Sequence, residues 1–220
     1  MIGFCFGTTS ERQMIRASIG TKRIVRFFRR KTIELGFKYG RLYVLELVPK
    51  PDLARSNDYG YQVGIASGLD DLRTLLERRE KWFGEEAEQR LGKGDVCFVA
   101  RFNGDVISCL FATFNSVYLP DVEYDLSLDE DTVGLIDAYT LPEFRGKHVY
   151  SLVFDACSGH FSRVGYRKVY GFIAPDNVRS LKVHRKLGLD RIVFDITLVR
   201  FLGVRKHFIN SDHRLIQEIL

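Results

Sequence analysis

The stretch that decides the fold runs from Thr140 to Tyr150 and has the sequence TLPEFRGKHVY. It follows a strand-like apolar segment, Val133 to Thr140, and precedes a segment from Val149 to Val164 whose apolar residues recur at helical spacing. Gly165 stands where a helix-ending glycine is expected. The stretch is therefore predicted to be the loop of a strand–loop–helix unit.

This loop has the chemistry of an anion site. The first turn of a helix offers backbone N–H groups without partners and the positive end of a dipole, and both favour a phosphate. Arg145 and Lys147 add positive charge, while Gly146 lets the backbone come close to a ligand. The glycine spacing excludes a Walker A loop and a dinucleotide fingerprint. On these residues alone, a crossover loop with two solvated basic side chains is the alternative.

The segments around the loop predict an α/β protein with a mixed sheet. Two β-rich runs joined by Asn103-Gly104 carry a strong hairpin signal, because both turn positions need positive φ. The acidic segment after them is predicted to be a loop. The other predicted elements are strands at Leu42 to Val48, Tyr61 to Ala66, Val169 to Ala174 and Arg191 to Val199, a helical region from Asp70 to Leu91 broken near Gly84, and a short helix from Val178 to Leu187.

Together with a second motif, the loop resembles the GCN5-related N-acetyltransferase (GNAT) superfamily. That family has an Arg/Gln-x-x-Gly-x-Gly/Ala loop for the pyrophosphate of acetyl-CoA and, later, an Asn-x-x-Ser/Ala-x-x-x-Tyr-x-Lys-x-Gly helix. Residues 140–146 fit the first pattern, and the second is fitted by Asn177, Ser180, Lys186, Leu187 and Gly188. The resemblance covers about residues 60–200 and implies the GNAT-like acyl-CoA N-acyltransferase fold, an α/β (α+β) mixed sheet.

The resemblance also implies which residues bind the co-substrate, acetyl-CoA or another acyl-CoA. The backbone around Thr140 and Leu141 would bond to the pantetheine, and the loop after it would hold the pyrophosphate. His148 and Tyr150 replace a glycine and a small residue, so their side chains could crowd or cover the phosphates. The predicted cofactor-binding residues are Thr140, Leu141, Arg145, Gly146, Lys147, His148, Val149, Tyr150, Asn177 and Ser180.

Two residues are predicted to be catalytic. His184 stands where the family has the tyrosine that protonates the departing thiolate, and a histidine with a pKa of about 6.5 can donate a proton near neutrality. A packing role on its helix is the alternative. Asp137 is the nearest carboxylate on a strand where Gly134 replaces the glutamate base of the histone-acetylating branch. It is a candidate base, and a structural hydrogen-bond partner is the alternative.

The predicted function is transfer of an acetyl or other acyl group from acyl-CoA to an amine on a small-molecule or sugar-like acceptor. Six acidic residues between Asp121 and Asp131 could face a cationic acceptor, or could form a solvated loop. Trp82, Tyr118 and Tyr139 could shape a pocket or could simply pack. The four cysteines lie far apart, so no metal site is expected. The alternatives are a long-chain N-acyltransferase that depends on an acyl carrier protein, and a non-catalytic acyl-CoA-binding module.

The N-terminal part of the chain is set apart by its charge. The 220 residues carry a net charge of +5, but residues 1–50 hold eleven Lys or Arg against three Glu. A basic amphipathic helix predicted at residues 21–37 could dock an acidic carrier protein or an anionic membrane, or could pack on the core. Residues 1–58 are therefore predicted to be a helix and strand extension, and residues 59–220 the acyltransferase domain. We expect no nucleic-acid partner and leave a homodimer open. We expect a cytoplasmic protein because the scattered cysteines favour reduced thiols and no signal peptide or membrane-spanning run is recognised.

Overall fold

The protein is described by a computed structural model that covers residues 37–51, 60–80, 82–211 and 215–216. The predicted basic helix lies outside the described residues except for Phe37, so docking of a carrier protein or a membrane stays a prediction. Among the described residues, no helix is long and apolar enough to cross a bilayer.

The described chain forms ten strands and four α-helices. The strands are β1 (Lys38–Leu47), β2 (Gln62–Ile65), β3 (Val96–Phe102), β4 (Asp105–Thr113), β5 (Ser116–Leu119), β6 (Tyr124–Ser127), β7 (Thr132–Thr140), β8 (Lys168–Ile173), β9 (Arg191–Phe201) and β10 (Val204–Ser211). The helices are α1 (Arg73–Arg78), α2 (Trp82–Gly92), α3 (Val149–Arg163) and α4 (Val178–Lys186), with single 3₁₀ turns at Leu69–Leu72 and Pro142–Phe144.

One mixed sheet of eight strands organises the fold, in the order β10-β9-β1-β8-β7-β4-β3-β2. The predicted α/β fold with a mixed sheet is confirmed. The predicted hairpin is β3 and β4, which pair antiparallel through Asn103 (φ 52°) and Gly104 (φ 89°). Helix α3 packs on β3 and β4, whereas β5 and β6 form a separate hairpin against the opposite face. The acidic segment predicted to be a loop is therefore partly this hairpin.

Strand β1 lies in the interior of the sheet, between β8 and β9, and pairs antiparallel with both. Its residues Leu42 to Leu45 are all buried. Such a continuous apolar run is typical of a strand covered on both faces. The sequence predicts that this strand belongs to an added extension, but the structure makes it a member of the same sheet as the motif-bearing strands. The domain boundary at residue 58 itself stays a prediction.

Two helix and strand boundaries differ from the predictions. The break in the helical region falls at Arg79, which is extended, whereas Gly84 lies inside α2, because one glycine costs a helix only about 1 kcal/mol. The strand predicted to end at Val199 continues to Phe201 and turns back through Leu202 and Gly203 into β10. Strand β10 is mostly exposed, so it lacks the apolar alternation by which strands are recognised.

The parallel neighbours β7 and β8 separate halfway along their length. Their register runs from Thr132 opposite Lys168 to Leu135 opposite Gly171 and stops there. Beyond this point β8 continues to pair only with β1, and β7 only with β4. The two strands thus open a wedge between residues 136–140 and 172–173.

Candidate active site

Strand β7 presents backbone groups to the wedge. Leu141 donates its N–H to the carbonyl of Ile107, across the ladder from β7 to β4. Because alternate residues of an antiparallel pair bond to their partner strand, Thr140 directs its N–H and C=O away from β4. The Thr140 carbonyl accepts a hydrogen bond from Arg145 Nε at 2.9 Å. Thr140 thus presents its backbone to the wedge, and its role in pantetheine binding stays a prediction. The Leu141 amide is already used by β4, and the Leu141 side chain is buried.

A bulge in β7 lies at the same place. Cys109 pairs with Tyr139 and Phe111 with Ile136, so Asp137 and Ala138 together oppose one residue of β4. Asp137 has a φ of 49°, which is in the left-handed region. Bulges redirect side chains, and they are common next to active sites. Here the bulge brings the Asp137 side chain into a cavity that its strand position alone would not predict.

A small cavity of about 340 Å³ lies on the predicted cofactor side of the wedge. Of the residues predicted to bind the cofactor, Thr140, Arg145, Tyr150, Asn177 and Ser180 line it. Gly146, Lys147 and His148 follow Arg145 on the exposed surface, and the Val149 side chain is buried in the core. The remaining lining residues are Ala138, Tyr139, Arg179, Val183 and His184.

The loop at this cavity has the backbone that its motif predicts. Gly146 has a φ of 78°, and His148, at the position of the family's glycine, has a φ of 60°. A non-glycine residue rarely adopts this conformation, so the chain keeps the glycine-like backbone despite the substitution. No side chain caps the first turn of α3, which begins at Val149. These N–H groups, with Arg145 beside them, fit a diphosphate.

Tyr150 differs from the prediction in the direction of its side chain. Its hydroxyl lies 2.9 Å from His184 Nε2 on α4, inside the wedge and away from the exposed loop. Burial raises the pKa of this phenol above its usual value. Tyr150 therefore lines the cavity as part of a polar pair, and its side chain does not cover a phosphate on the loop surface.

Helix α4 is held by its own first turn. Asn177 is the N-cap residue, and its Oδ1 accepts the N–H of Ser180 at 3.1 Å. One turn later, His184 Nδ1 lies 2.9 Å from the Ser180 carbonyl and 3.2 Å from its Oγ. Burial lowers the pKa of His184, only partly offset by the Ser180 carbonyl, so the imidazole is neutral at neutral pH. The prediction of a direct acid requires a protonated imidazolium, and a neutral His184 is not in that form.

A larger cavity of about 980 Å³ lies on the other side of the wedge. Among the described residues, five carboxylates and two basic side chains line it, together with Trp82 and Tyr118. Of the predicted acidic segment, Asp121 and Asp125 reach this cavity. The other acidic residues of that segment with described partners are Glu123, bonded to Lys38 and Arg200, Asp129, bonded to Lys168, and Asp131, bonded to Arg167 and Lys168.

The centre of this cavity is an ion-pair cluster around Arg90 of α2. Arg90 Nε lies 2.8 Å from Asp137 Oδ2, and its Nη1 lies 3.8 Å from Asp95 Oδ2. Burial raises the pKa of Asp95, while hydrogen bonding from Thr113 and the charge of Arg90 oppose the rise. Sequence reasoning missed Asp95, since a single aspartate before a strand carries no signal that separates it from a turn residue. Asp137 thus has an ion-pair partner in Arg90, whereas its predicted alternative role is a structural bond to a neighbouring backbone group.

The position of the family's glutamate base is closed in this protein. A Cβ atom on Gly134 would lie 3.2 Å from Thr113 Cγ2, 3.3 Å from Leu128 Cδ1 and 3.3 Å from Phe172 Cε2. These contacts are tighter than ordinary packing, so a longer side chain would need its neighbours to move. A carboxylate base in this site would therefore come from another of the carboxylates that line the cavity, such as Asp95 or Asp137, and not from this point of β7.

The two cavities meet at four residues: Ala138, Tyr150, Ser180 and His184. A thioester that enters between the strands would reach this junction from the smaller cavity, and an acceptor would reach it from the larger one. Among the described residues, no group of three or more His, Cys, Asp or Glu is arranged to hold a metal ion. The junction can place two substrates against one another next to polar side chains.

Comparison of the sequence with known families gives one match. The sequence model described as "Acetyltransferase (GNAT) family" matches residues 69–189, more than half of the chain. No curated protein matches the chain.

Solved structures share the fold at low sequence identity. A glucosamine N-acetyltransferase region of a fungal multi-domain GH3 β-N-acetylglucosaminidase is 16% identical, with a TM-score of 0.54 over 86% of this chain and 23% of that one. A Drosophila protein is 13% identical, with a TM-score of 0.51 over 80% of this chain and 52% of that one. The aminoglycoside acetyltransferase AAC(6')-Iy, solved with a bisubstrate analogue, is 21% identical, with a TM-score of 0.48 over 66% of this chain and 97% of that one. This chain thus spans about half of the Drosophila protein and under a quarter of the fungal one.

Proposed function

Since the chain belongs to the acetyltransferase (GNAT) family, we propose that it transfers an acetyl group from acetyl-CoA to an amine of a small, positively charged acceptor. The observation that carries the proposal is the wedge between β7 and β8, with a cavity on each side and a four-residue junction between them. A thioester and an amine can approach each other at this junction because β7 and β8 are not paired there.

The smaller cavity is the proposed site of the donor. Its support is the uncapped first turn of α3, the Arg145 guanidinium and the outward-directed backbone of Thr140. Helix N-terminal amides and an arginine are both suited to a diphosphate. The donor would lie along β7 with its thioester at the junction, as in other members of the family.

The larger cavity is the proposed site of the acceptor. Its five carboxylates are Glu86, Asp95, Asp121, Asp125 and Asp137, and its two cations are Arg90 and Lys93. This excess of negative charge attracts a cationic amine and raises its local concentration. The size of the cavity suits an acceptor of at least the size of a sugar.

The proposed reaction is direct attack of the amine on the thioester carbon. The cysteines in the described part of the chain do not support a covalent acyl-enzyme: Cys97, Cys109 and Cys157 are buried, and burial raises the pKa of the Cys157 thiol above its usual value. A thiol that stays protonated is a poor nucleophile. The residues at the junction must then receive the proton that the amine loses and supply the one that the departing thiolate needs.

Binding and turnover can be measured separately. We expect acetyl-CoA to raise the melting temperature of the wild-type protein, with a stabilisation of about 2.7 kcal/mol at a hundredfold excess over Kd. Arg145→Glu should abolish this shift, because it places a negative charge beside the diphosphate. Lys206→Glu, the same charge reversal on exposed strand β10, should leave the shift unchanged.

Turnover is then measured as release of the CoA thiol and as the mass of the acetylated product, with a panel of amines that carry one to four positive charges. Product from the multiply charged amines supports the proposal. Binding of acetyl-CoA without product from any amine would make the chain a non-catalytic acyl-CoA-binding module. Activity only with an acyl carrier protein as donor would favour the long-chain alternative.

A further inference from the structure

Tyr150 and His184 form a hydrogen-bonded pair at the junction of the two cavities. The phenol oxygen lies 2.9 Å from Nε2, and the two ring centroids are 5.6 Å apart. The Phe154 ring contacts both, at 6.2 Å from Tyr150 and 6.5 Å from His184. The pair is therefore held between α3 and α4 by packing as well as by its hydrogen bond.

The surroundings of His184 fix the direction of that hydrogen bond. A carbonyl oxygen can only accept, so the 2.9 Å contact from Nδ1 to the Ser180 carbonyl places a proton on Nδ1. In a neutral imidazole the other nitrogen, Nε2, then carries a lone pair. Tyr150 must donate its O–H proton to Nε2. The phenol oxygen keeps its own lone pairs, which are free to accept a proton from a group in the cavity.

The pair lies where the reacting atoms would meet. A Cβ atom on Gly171, the last residue of β8 that pairs with β7, would lie 2.7 Å from Leu189 Cδ2 and 3.9 Å from His184 Cδ2, so the imidazole lies close to the apex of the wedge. Tyr150 and His184 line both the cavity proposed for the donor and the cavity proposed for the acceptor. One hydroxyl can therefore be within reach of the amine nitrogen and of the thioester sulfur.

We propose that Tyr150 and His184 act as a proton shuttle that carries one proton from the attacking amine to the departing thiolate. This inference rests on the proposed acetyl transfer and deepens it. Tyr150 is the catalytic residue that touches the reacting atoms, and His184 holds the proton between the two steps.

The steps balance without an added acid or base. As the neutral amine forms its bond to the thioester carbon, the carbonyl becomes an oxyanion and the nitrogen gives one proton to the Tyr150 oxygen. The former Tyr150 proton moves to His184 Nε2 and leaves an imidazolium, whose Nδ1–H stays bonded to the Ser180 carbonyl. When the oxyanion collapses, the C–S bond breaks with its electron pair on sulfur. The thiolate takes a proton from Tyr150, and Tyr150 recovers its proton from Nε2.

In the shuttle, His184 supplies the proton for the thiolate indirectly, whereas the sequence predicts that it donates the proton itself. His184 Nε2 is bonded to Tyr150, so the proton would pass through the phenol and not directly from imidazole to sulfur. It also explains how the site can work although Asp137 is bound to Arg90 and the glutamate position at Gly134 is closed. A tyrosine at the sixth position of the loop motif then has a chemical role that a glycine or alanine there cannot have.

The first test uses an amine that the wild-type protein acetylates, and the variants Tyr150→Phe and His184→Gln. Phenylalanine keeps the ring without the hydroxyl, and glutamine can accept the Tyr150 hydrogen bond but cannot hold a proton. We expect each to lower kcat by about 10² to 10⁴-fold, the usual contribution of general acid–base catalysis. The Kd for acetyl-CoA, measured by calorimetry, should stay within about threefold of the wild type. Tyr166→Phe removes a hydroxyl from another packed tyrosine and should keep full activity.

The results separate the two levels of the proposal. If the wild-type protein is active and Tyr150→Phe retains more than about a third of the wild-type kcat, the shuttle is overturned. The proposed acetyl transfer is not affected by that result. A wild-type protein that binds acetyl-CoA and acetylates no amine would overturn the proposed function, and the shuttle with it.

A second test does not depend on activity. Long-range ¹⁵N–¹H correlation spectra of the wild-type protein should show His184 as the neutral tautomer with the proton on Nδ1 at pH 7. A proton on Nε2 would mean that Tyr150 accepts and does not donate, and this would overturn the shuttle directly.

Discussion

The two sides of the wedge are built in different ways, although β7 serves both. The donor side is made from two short stretches of the chain, one within residues 138–150 and one within residues 177–184 at α4. The acceptor side is assembled from α2, the end of β4, the β5–β6 hairpin, β7 and β8, which are far apart in the chain. The donor side would work mainly through backbone N–H groups, and the acceptor side through charged side chains. A local sequence motif can therefore specify the donor side, but it cannot specify the acceptor side.

The largest expected effect on this contrast comes from Asp137→Asn. Asparagine tolerates the left-handed backbone at this bulge but cannot pair with Arg90 as a charge. The change removes one negative charge from the acceptor cavity, and two unit charges about 4 Å apart interact by about 1 kcal/mol in water and about 4 kcal/mol near a protein surface, so kcat/KM for a cationic amine should fall about 10 to 100-fold. The melting-temperature shift caused by acetyl-CoA should not change. Steady-state kinetics with varied amine and a thermal-shift titration measure the two sides separately.

Glu130→Gln is the matched control for that change. It removes a carboxylate from the same acidic stretch at an exposed position that does not line the cavity. Equal losses in both variants would mean that overall charge governs acceptor binding and that the Arg90 cluster has no special part in it.

A smaller effect is expected from Gly40→Ala in β1. A Cβ atom there would lie 2.1 Å from the carbonyl oxygen of Asp121, a backbone atom of the acceptor wall. Overpacking of this kind lowers the free energy of unfolding by about 1–3 kcal/mol, so the urea midpoint of unfolding should fall. The clash should also displace the backbone of Asp121, which lines the larger cavity. The KM for the amine should rise and the Kd for acetyl-CoA should stay constant. Gly64→Ala in β2 is the control, since its Cβ would meet only Arg101 Nη1 at 3.7 Å; a similar loss there would contradict the steric explanation.

The smallest effect is a pH dependence at Asp95. Burial raises the pKa of this carboxyl, so between its unfolded and folded pKa values the folded state binds more protons than the unfolded state. The free energy of unfolding should therefore fall as pH rises through that range, because the charged carboxyl destabilises the folded state at neutral pH. Asp95→Asn should raise the melting temperature at pH 7, and the gain should disappear as pH falls below about 4. A gain that does not depend on pH would show that the carboxylate charge is not its cause.

Sequence reasoning predicted the turns and helix ends of the fold well because these features are local, while the binding of a donor beside them stays a prediction. The Asn103-Gly104 turn, the loop after Pro142 and the helix ends at Gly165 and Gly188 each depend on φ preferences within a few residues. The same reasoning failed where long-range packing decides. The interior place of β1 depends on strands that lie far along the chain, and the inward direction of Tyr150 depends on His184, 34 residues later. Asp95 is close to Arg90 in the chain, but the local pattern does not show how the end of α2 is oriented toward the strand that follows.

The central place of β1 also has a consequence for how the chain reaches its fold. Arg41 of this strand bonds to Asp195, 154 positions later, so β1 leaves the ribosome long before either strand that will flank it. At about 5–20 residues per second the wait is roughly ten to thirty seconds. During that time an apolar segment with two unpaired edges is exposed to other chains. Insertion of β1 between β8 and β9 is therefore expected to be the slow step of folding and the point at which nascent chains aggregate, so expression should respond to chaperones more than the size of the protein would suggest.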